Sequence, residues 1–331
     1  MISIRNECKD PHFNLALEEY VFYNFDPSEE YVILWQNEPS VIIGRNQNTI
    51  EEINAKFIKE NNIHVVRRMS GGGAVYHDLG NLNFTFIVNS DQDVASNFRK
   101  FTEPVVSALD KLGVKAEFSG RNDITIDGRK FSGNAQHYSK NRLLHHGTIL
   151  FDSDLTVVQE ALNVKIDKLQ SKGVKSVRSR VTNVAPYLKE KITVEEFKDV
   201  LLKFILNDEH YKDKEYILTE ADLAAVRALM EKKYLTWEWN YGESPAFEIE
   251  KSRRFDGGNL SLKFNVEDGY LIDLKIYGDF FGKKDPADIE KLLKNQLYQD
   301  ESIRRLLKSI DDFNEYFSGI TIDNFIECMF Y

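Results

Sequence analysis

Val65-Val66-Arg67-Arg68-Met69-Ser70-Gly71-Gly72-Gly73-Ala74-Val75-Tyr76-His77-Asp78 joins an apolar β-branched pair to a second apolar pair through two arginines and three glycines. The spacing predicts a strand ending near Arg68, a tight loop, and a new strand from Ala74. Glycine has no Cβ, so three in a row let backbone N–H groups come close to a bound anion. Each also costs about 0.5–1 kcal/mol of extra chain entropy when ordered. Arginine beside such a loop adds a permanent charge and a forked donor for phosphate or carboxylate. The run lacks the Gly-Lys-Ser/Thr of a Walker loop and the G-x-G-x-x-G order of a dinucleotide site. Alone, it is as consistent with a glycine-rich turn between two strands.

Working outward, His64–Arg68 reads as the entering strand, with Tyr31–Trp35 and Ser40–Gly44 as earlier strands joined by the turn Gln36-Asn37-Glu38-Pro39. Asp10-Pro11 starts a helix to about Phe25, by the usual cap and first-turn proline. Thr49-Ile50-Glu51-Glu52 reads as a capping box starting a helix to about Asn61. Ala74–His77 and Leu82–Val88 are expected to pair. Asp93 is placed as the cap of a helix ending at Gly113. Asp127-Gly128 between Asp123–Ile126 and Arg129–Gln136 is a hairpin signal, and Leu143–Phe151 is another strand. After the aromatic connector Trp237–Pro245 come three strands and three short helices. The expected organisation is α+β: mixed β-sheets flanked by helices over 1–246, then a small α+β unit over 247–331.

Composition narrows the classes. The 331 residues are 42% hydrophobic and 12% aromatic, ordinary for a globular protein. A net charge of −10 argues against non-specific nucleic-acid binding. No apolar run of membrane-spanning length occurs, and no membrane role is expected. Cys8 and Cys328 form neither a disulfide framework nor a zinc spacing, which fits a reducing cytoplasm.

The second chemical candidate is Lys130, in Gly120-Arg121-Asn122-Asp123 … Lys130-Phe131-Ser132-Gly133-Asn134. Strand alternation puts Lys130, Ser132 and Asn134 on one side, among small polar neighbours that leave room for a ligand. A solvated edge lysine is the plain alternative. Asp123 can hold a hard cation bound to phosphates, or simply stabilise a turn. His145 and His146 face opposite ways on a strand, so at most one reaches a shared pocket. Ser176–Asn183, with Arg178, either guards an anion site or is a solvated loop. No Ser-His-Asp or Cys-His set is identifiable. A glycine cradle, a positioned lysine, arginines and a metal-bound phosphate suit nucleotide-dependent activation of an acid.

Taken together and in order, Phe13–Glu19, Ile43-Gly44-Arg45-Asn46-Gln47-Asn48, Arg67–Asp78, Gly120–Asp123, Lys130, His146-Gly147-Thr148 and Ser176–Asn183 resemble the lipoate–protein ligase A family. The resemblance covers nearly the whole chain. Trp237-Glu238-Trp239-Asn240 and the small C-terminal unit are similar to its two-domain form. It implies a mixed-sheet fold shared with biotin ligases. It also implies a two-step reaction, in which lipoate and ATP with Mg2+ give lipoyl-AMP and pyrophosphate. The lipoyl group then passes to a lysine of apo lipoyl domains, those of 2-oxo-acid dehydrogenases or the glycine cleavage H protein.

Residue by residue, the resemblance implies that Arg68 meets the nucleotide phosphates and that Gly73, Ala74, Val75 and Tyr76 line the adenylate. Lys130 would be the catalytic residue, touching lipoate and ATP. Ser70, Gly71, Gly72, His77 and His146 would lie along the lipoate. Arg45, Asn122, Thr148 and Arg178 are further phosphate or pocket candidates, and Asp123 the magnesium candidate. An apolar slot for the acyl tail, worth about 0.8 kcal/mol per buried CH2, is expected from residues such as Leu15, Leu17 and Val75. Two other readings remain at this stage. One is an ATP-independent octanoyl or lipoyl transferase of the same fold, which usually needs a cysteine. The other is a non-catalytic binding module, against which Lys130 and Arg68 argue.

Overall fold

Short strands of β-branched and aromatic residues build the fold, and helices cover them. The structure is a computed structural model that describes residues 1–89, 98–120, 122–162, 181–243, 247–278, 280 and 282–331. By internal contacts these form two units, Met1–Arg45 with Asn62–Thr236, and Asn46–Asn61 with Trp237–Tyr331.

In the first unit the strands are β1 (Ile2–Arg5), β2 (Tyr31–Trp35), β3 (Ser40–Ile43), β4 (His64–Arg67), β5 (Val75–His77), β6 (Asn81–Asn89), β7 (Glu117–Ser119), β8 (Asp123–Ile126), β9 (Arg129–Ser139), β10 (Arg142–Leu150) and β11 (Tyr216–Ile217). Eight form one sheet in the order β11-β1-β2-β6-β10-β9-β8-β7, and three form another in the order β4-β3-β5. β1 runs parallel to both neighbours and β3 runs parallel to β4, so both sheets are mixed, as expected. Helix Pro11–Asn24 begins as expected, with the Asp10 carboxylate accepting from the N–H groups of His12 and Phe13. The core packs Val32, Leu34, Phe84, Phe86, Leu143 and Ile149 of the large sheet against Val105 and Leu109 of helix Phe98–Lys111 and Phe197 and Leu201 of helix Val194–Leu206. Each such side chain contributes about 1.5–3 kcal/mol by leaving water.

Several expectations change. The turn after Trp35 links two different sheets, so β2 and β3 do not pair. β5 pairs with β3, and β6 pairs with β2 and β10, so the expected β5–β6 ladder is not formed. The segment after Asn48 is two short helices, Thr49–Glu52 and Ala55–Glu60, capped by Asn48 and Asn54. Ile53 is extended and breaks them apart, and Thr49 gives its hydroxyl to the Asn240 carbonyl instead of capping. The aromatic connector contains a helical turn, Glu238–Gly242. The cap expected at Asp93 and the basic stretch through Arg178 lie outside the described residues. The strands β1, β7, β11 and β15 (Gln296–Leu297) went unforeseen, because two to four residues carry too little periodicity.

The second unit is a meander of β12 (Phe247–Phe255), β13 (Gly258–Glu267) and β14 (Tyr270–Gly278), with β15 on its edge. One face buries Leu262, Phe264 and Leu274 against Phe317 and Phe325. Ile50 packs on this core, and Lys59 pairs with Asp300 at 3.1 Å, which is how the segment from Asn46 to Asn61 joins this unit. No described helix is long and apolar enough to cross a membrane.

Candidate active site

The glycine loop carries the chain from β4 to β5 over the end of β3, and its two arginines fold back onto that end. Arg67 is fully buried and donates to the carbonyls of Gly44 and Arg45, both at 3.0 Å. Arg68 donates through Nη1 to Ile42 (3.1 Å), and through Nη2 to Gly71 (2.7 Å) and Gly73 (2.8 Å). Burial lowers its pKa to about 10, so it stays charged at neutral pH. A trans peptide points its C=O and N–H opposite ways. The carbonyls of Gly71 and Gly73 therefore turn toward Arg68, and the N–H groups of Gly72 and Ala74 turn away from it. Gly72 holds φ +93°, and a Cβ there would stand 3.1 Å from Arg68 Nη2, so this position demands glycine.

Behind the loop, Arg68 Nε donates to Ser70 Oγ (3.0 Å), which lies 2.6 Å from His146 Nε2. His146 Nδ1 lies 3.0 Å from Glu18 Oε1, and the same oxygen accepts from Thr85. The arrangement Ser70–His146–Glu18 has the connectivity of a nucleophile relay, which is not identifiable from the sequence. Ser70 is 1% exposed and already accepts from Arg68, so its hydroxyl holds the loop and is not placed to attack a substrate.

Lys130 reaches the site from β9. A bulge sets Ser132 opposite Ile124 but Lys130 opposite Thr125, leaving Phe131 extra. The expected sharing of one face by Lys130 and Ser132 is thereby lost. Ser132 is fully buried, and Lys130 lies over Gly133, where a Cβ would be 2.9 Å from Nζ. Lys130 Nζ is 2.7 Å from the Asp123 carboxylate. The Lys130 carbonyl accepts from the Thr182 N–H at 2.9 Å.

These groups converge. One cavity of about 610 Å3, open solvent at its mouth included, is bordered by Arg68, Gly72, Gly73, Ala74 and Val75 on the loop side. Lys130, His146 and Thr148 border it from the large sheet, Asn122 from the turn between β7 and β8, and His77 from β5. Ser70, Gly71 and Tyr76 do not border it: Ser70 sits behind the loop, and Tyr76 alternates to the other side of β5 from Val75 and His77. Arg45 gives its backbone N–H to the Ser70 carbonyl and is not on the wall. Arg178 lies outside the described residues. Leu15 and Val75 line the apolar wall as expected, whereas Leu17 is buried away from it. Asn134, expected on the ligand side with Lys130, does border it, whereas sequence reasoning missed Trp35, Ile42, Asn83, Gly133 and Ala135 on the wall, and Glu18 behind it. As expected, only one of the paired histidines reaches the cavity. His145 turns into the aromatic core, stacked on Phe101. Burial lowers its pKa to about 3.

No group of three His, Cys, Asp or Glu side chains stands ready for a metal among the described residues. Neither cysteine borders the cavity, and burial raises the Cys328 thiol to about 11. A cavity with apolar walls, two cations and a backbone cradle suits a chain-shaped carboxylic acid beside a phosphate. That defines an acid-activating enzyme on a mixed-sheet fold.

Comparison with known proteins gives the family. Residues 10–206 match the Lipoyl protein ligase A/B catalytic domain, and residues 244–329 the Bacterial lipoate protein ligase C-terminus. Lipoate-protein ligase LplJ of Bacillus subtilis is 49% identical over 332 aligned residues, 100% of both chains. A structure of a bi-partite lipoate protein ligase and its E2 lipoyl domain from Thermoplasma acidophilum is 32% identical, with TM-score 0.64 over 73% of this chain and 95% of that one. A crystal structure of lipoate-protein ligase A bound with ATP is 31% identical, with TM-score 0.63 over 73% of this chain and 98% of that one. The chain belongs to the lipoate–protein ligase family, and it is an enzyme with that activity.

Proposed function

We propose that this cavity binds lipoate and ATP with Mg2+, forms lipoyl-AMP, and passes the lipoyl group to a lysine of an apo lipoyl domain. The observation that carries the reading is that Lys130 and the glycine loop border one cavity. In the first step a lipoate carboxylate oxygen bonds to the α-phosphorus of ATP, and the bond to pyrophosphate breaks. Two anions must meet. Lys130, Arg68 and the N–H groups of the loop offset that repulsion as charge builds on the phosphoryl oxygens. Lys130 acts as a cation rather than a base, since a carboxylate is already ionised at pH 7. In the second step the acceptor amine bonds to the acyl carbon, the bond to AMP breaks, and the nitrogen gives up its proton.

Magnesium would supply further charge neutralisation to the phosphates. Asp123 pairs with Lys130 but does not border the cavity, so an ion would be held mostly by phosphate oxygens, with Asp123 as a single carboxylate ligand beside them once Lys130 has turned to the substrate. Residues 1–246 are read as the activating part and 247–331 as an accessory part. The acceptors are read as 2-oxo-acid dehydrogenase lipoyl domains and the glycine cleavage H protein, in a cytoplasmic setting. Incubation with ATP, Mg2+, lipoate and a panel of such apo domains, read by mass, should show one lipoyl adduct per domain and pyrophosphate release. Acyl exchange between domains without pyrophosphate would instead support the transferase reading.

A further inference from the structure

His77 carries a hydrogen-bond donor that the protein leaves unanswered. The ring is 3% exposed, borders the cavity, and packs edge-on against Trp35 at 6.0 Å between centroids. Its Nδ1 faces two side-chain amides, Asn37 at 3.1 Å and Asn83 at 3.5 Å. A chain of amides fixes which atom the nearer one presents. The Asn14 amide nitrogen meets the backbone carbonyls of Cys8 (3.0 Å) and Gln36 (2.9 Å), which can only accept. The Asn14 NH2 shares its two protons among these carbonyls and Asn37 at 2.9 Å, and only an oxygen can face it there, so Asn37 turns its Oδ1 to Asn14 and its NH2 to His77. His77 Nδ1 is therefore a bare acceptor, and the one proton of the neutral ring sits on Nε2. Burial, with Arg68 and His146 nearby, lowers the pKa to about 3, so the ring is neutral at any working pH. Nε2 is buried and has no partner among the described residues.

An unpaired buried donor is costly, and a ligand that meets it gains by doing so. The acid end of the substrate belongs near Lys130 and Arg68. The other end then runs along the apolar wall of Leu15, Trp35, Ile42 and Val75, where His77 stands against Trp35. A saturated chain filling that wall leaves the Nε2–H without an acceptor. A five-membered disulfide ring offers sulfur, a weak acceptor.

We propose that the Nε2–H of His77 is a specificity determinant. It selects an acyl tail bearing a hydrogen-bond acceptor, the dithiolane sulfur, over a saturated tail of the same size. The proposal rests on the ligase reading and adds to it the means by which lipoate is told from octanoate.

The test compares pyrophosphate release from lipoate, octanoate and 5-cyclopentylpentanoate, the last having the lipoate skeleton with both sulfurs replaced by carbon. The protein should use lipoate with kcat/KM about three- to tenfold above the carbocycle, the size expected when a buried donor gains a weak acceptor. In His77→Phe that ratio should collapse toward one, with the loss falling on lipoate. Equal use of lipoate and carbocycle by the unaltered protein overturns the proposal, whether or not His77→Phe folds. So does an unchanged ratio in a folded His77→Phe. Absence of pyrophosphate from every acid overturns the ligase reading itself, which is a different result.

Discussion

Lys130 Nζ stands 2.7 Å from the carboxylate of Asp123, so the amine the reaction calls for is already paired before any substrate arrives. Both side chains are more than a third exposed, at 38% and 37%. A pair so placed is worth no more than about 1 kcal/mol, and an incoming carboxylate can displace it at little cost. Asp123→Asn should therefore lower the KM for lipoate, since Lys130 no longer has to exchange one anion for another. If Asp123 then serves the metal, the same variant should need more Mg2+ for half-maximal rate. Steady-state kinetics at varied lipoate and Mg2+ separates these effects. An unchanged KM for lipoate would show that the pair does not compete with substrate.

Gly133 gives Lys130 its resting place. A methyl group there would lie 2.9 Å from Nζ and 3.0 Å from Cε, against the flexible end of a side chain. Gly133→Ala should fold with normal stability but displace the amine, reducing kcat/KM for lipoate by about tenfold or more. A loss of Tm with unaltered kinetics would reverse this assignment.

Glu18 holds the back of the loop through His146, Ser70 and Arg68. Removing its carboxylate leaves Thr85 and His146 without their acceptor inside the protein. Glu18→Ala should lower unfolding free energy by about 2–4 kcal/mol and weaken adenylation through the loosened loop. Urea denaturation and pyrophosphate release read the two effects; a change within about 0.5 kcal/mol would mean that the relay is not structural.

His77 and His145 are both neutral in the folded chain down to about pH 3. Unfolded, each takes a proton near its ordinary value of 6.5. Between these limits the unfolded state holds more protons, so acid favours it. Stability should fall on acidification below about 6.5 by about 1.4 kcal/mol per pH unit per histidine, with no effect above that. His145→Gln should remove one histidine's share of the slope between about pH 4 and 6, as read from denaturation at several pH values. An unaltered slope would contradict the burial of that ring.

The parts of the site legible in the sequence were those whose chemistry is local. Arg68, the three glycines and Val75 announce themselves as a run, and Lys130 follows a hairpin that Asp127 and Gly128 make with φ of +51° and +71°. What failed was long-range or depended on a single inserted residue. The Phe131 bulge moves Lys130 from the side of Ser132 onto Gly133, and alternation alone cannot show it. Glu18 and Ser70 lie 128 and 76 residues from His146, so no local spacing marks their union. The partners of β5 and β6 were misassigned because their closeness in sequence suggested a hairpin, while the tight connection in fact passes from one sheet to the other.

The central claim is that the Lys130 amine and the glycine cradle act on the same pair of anions. It is tested most directly by single-turnover formation of lipoyl-AMP in Lys130→Ala, with lipoate and ATP saturating and folding checked by circular dichroism. The account predicts a loss of about 100-fold or more. A folded Lys130→Ala protein that forms the adenylate at the unaltered rate would contradict it.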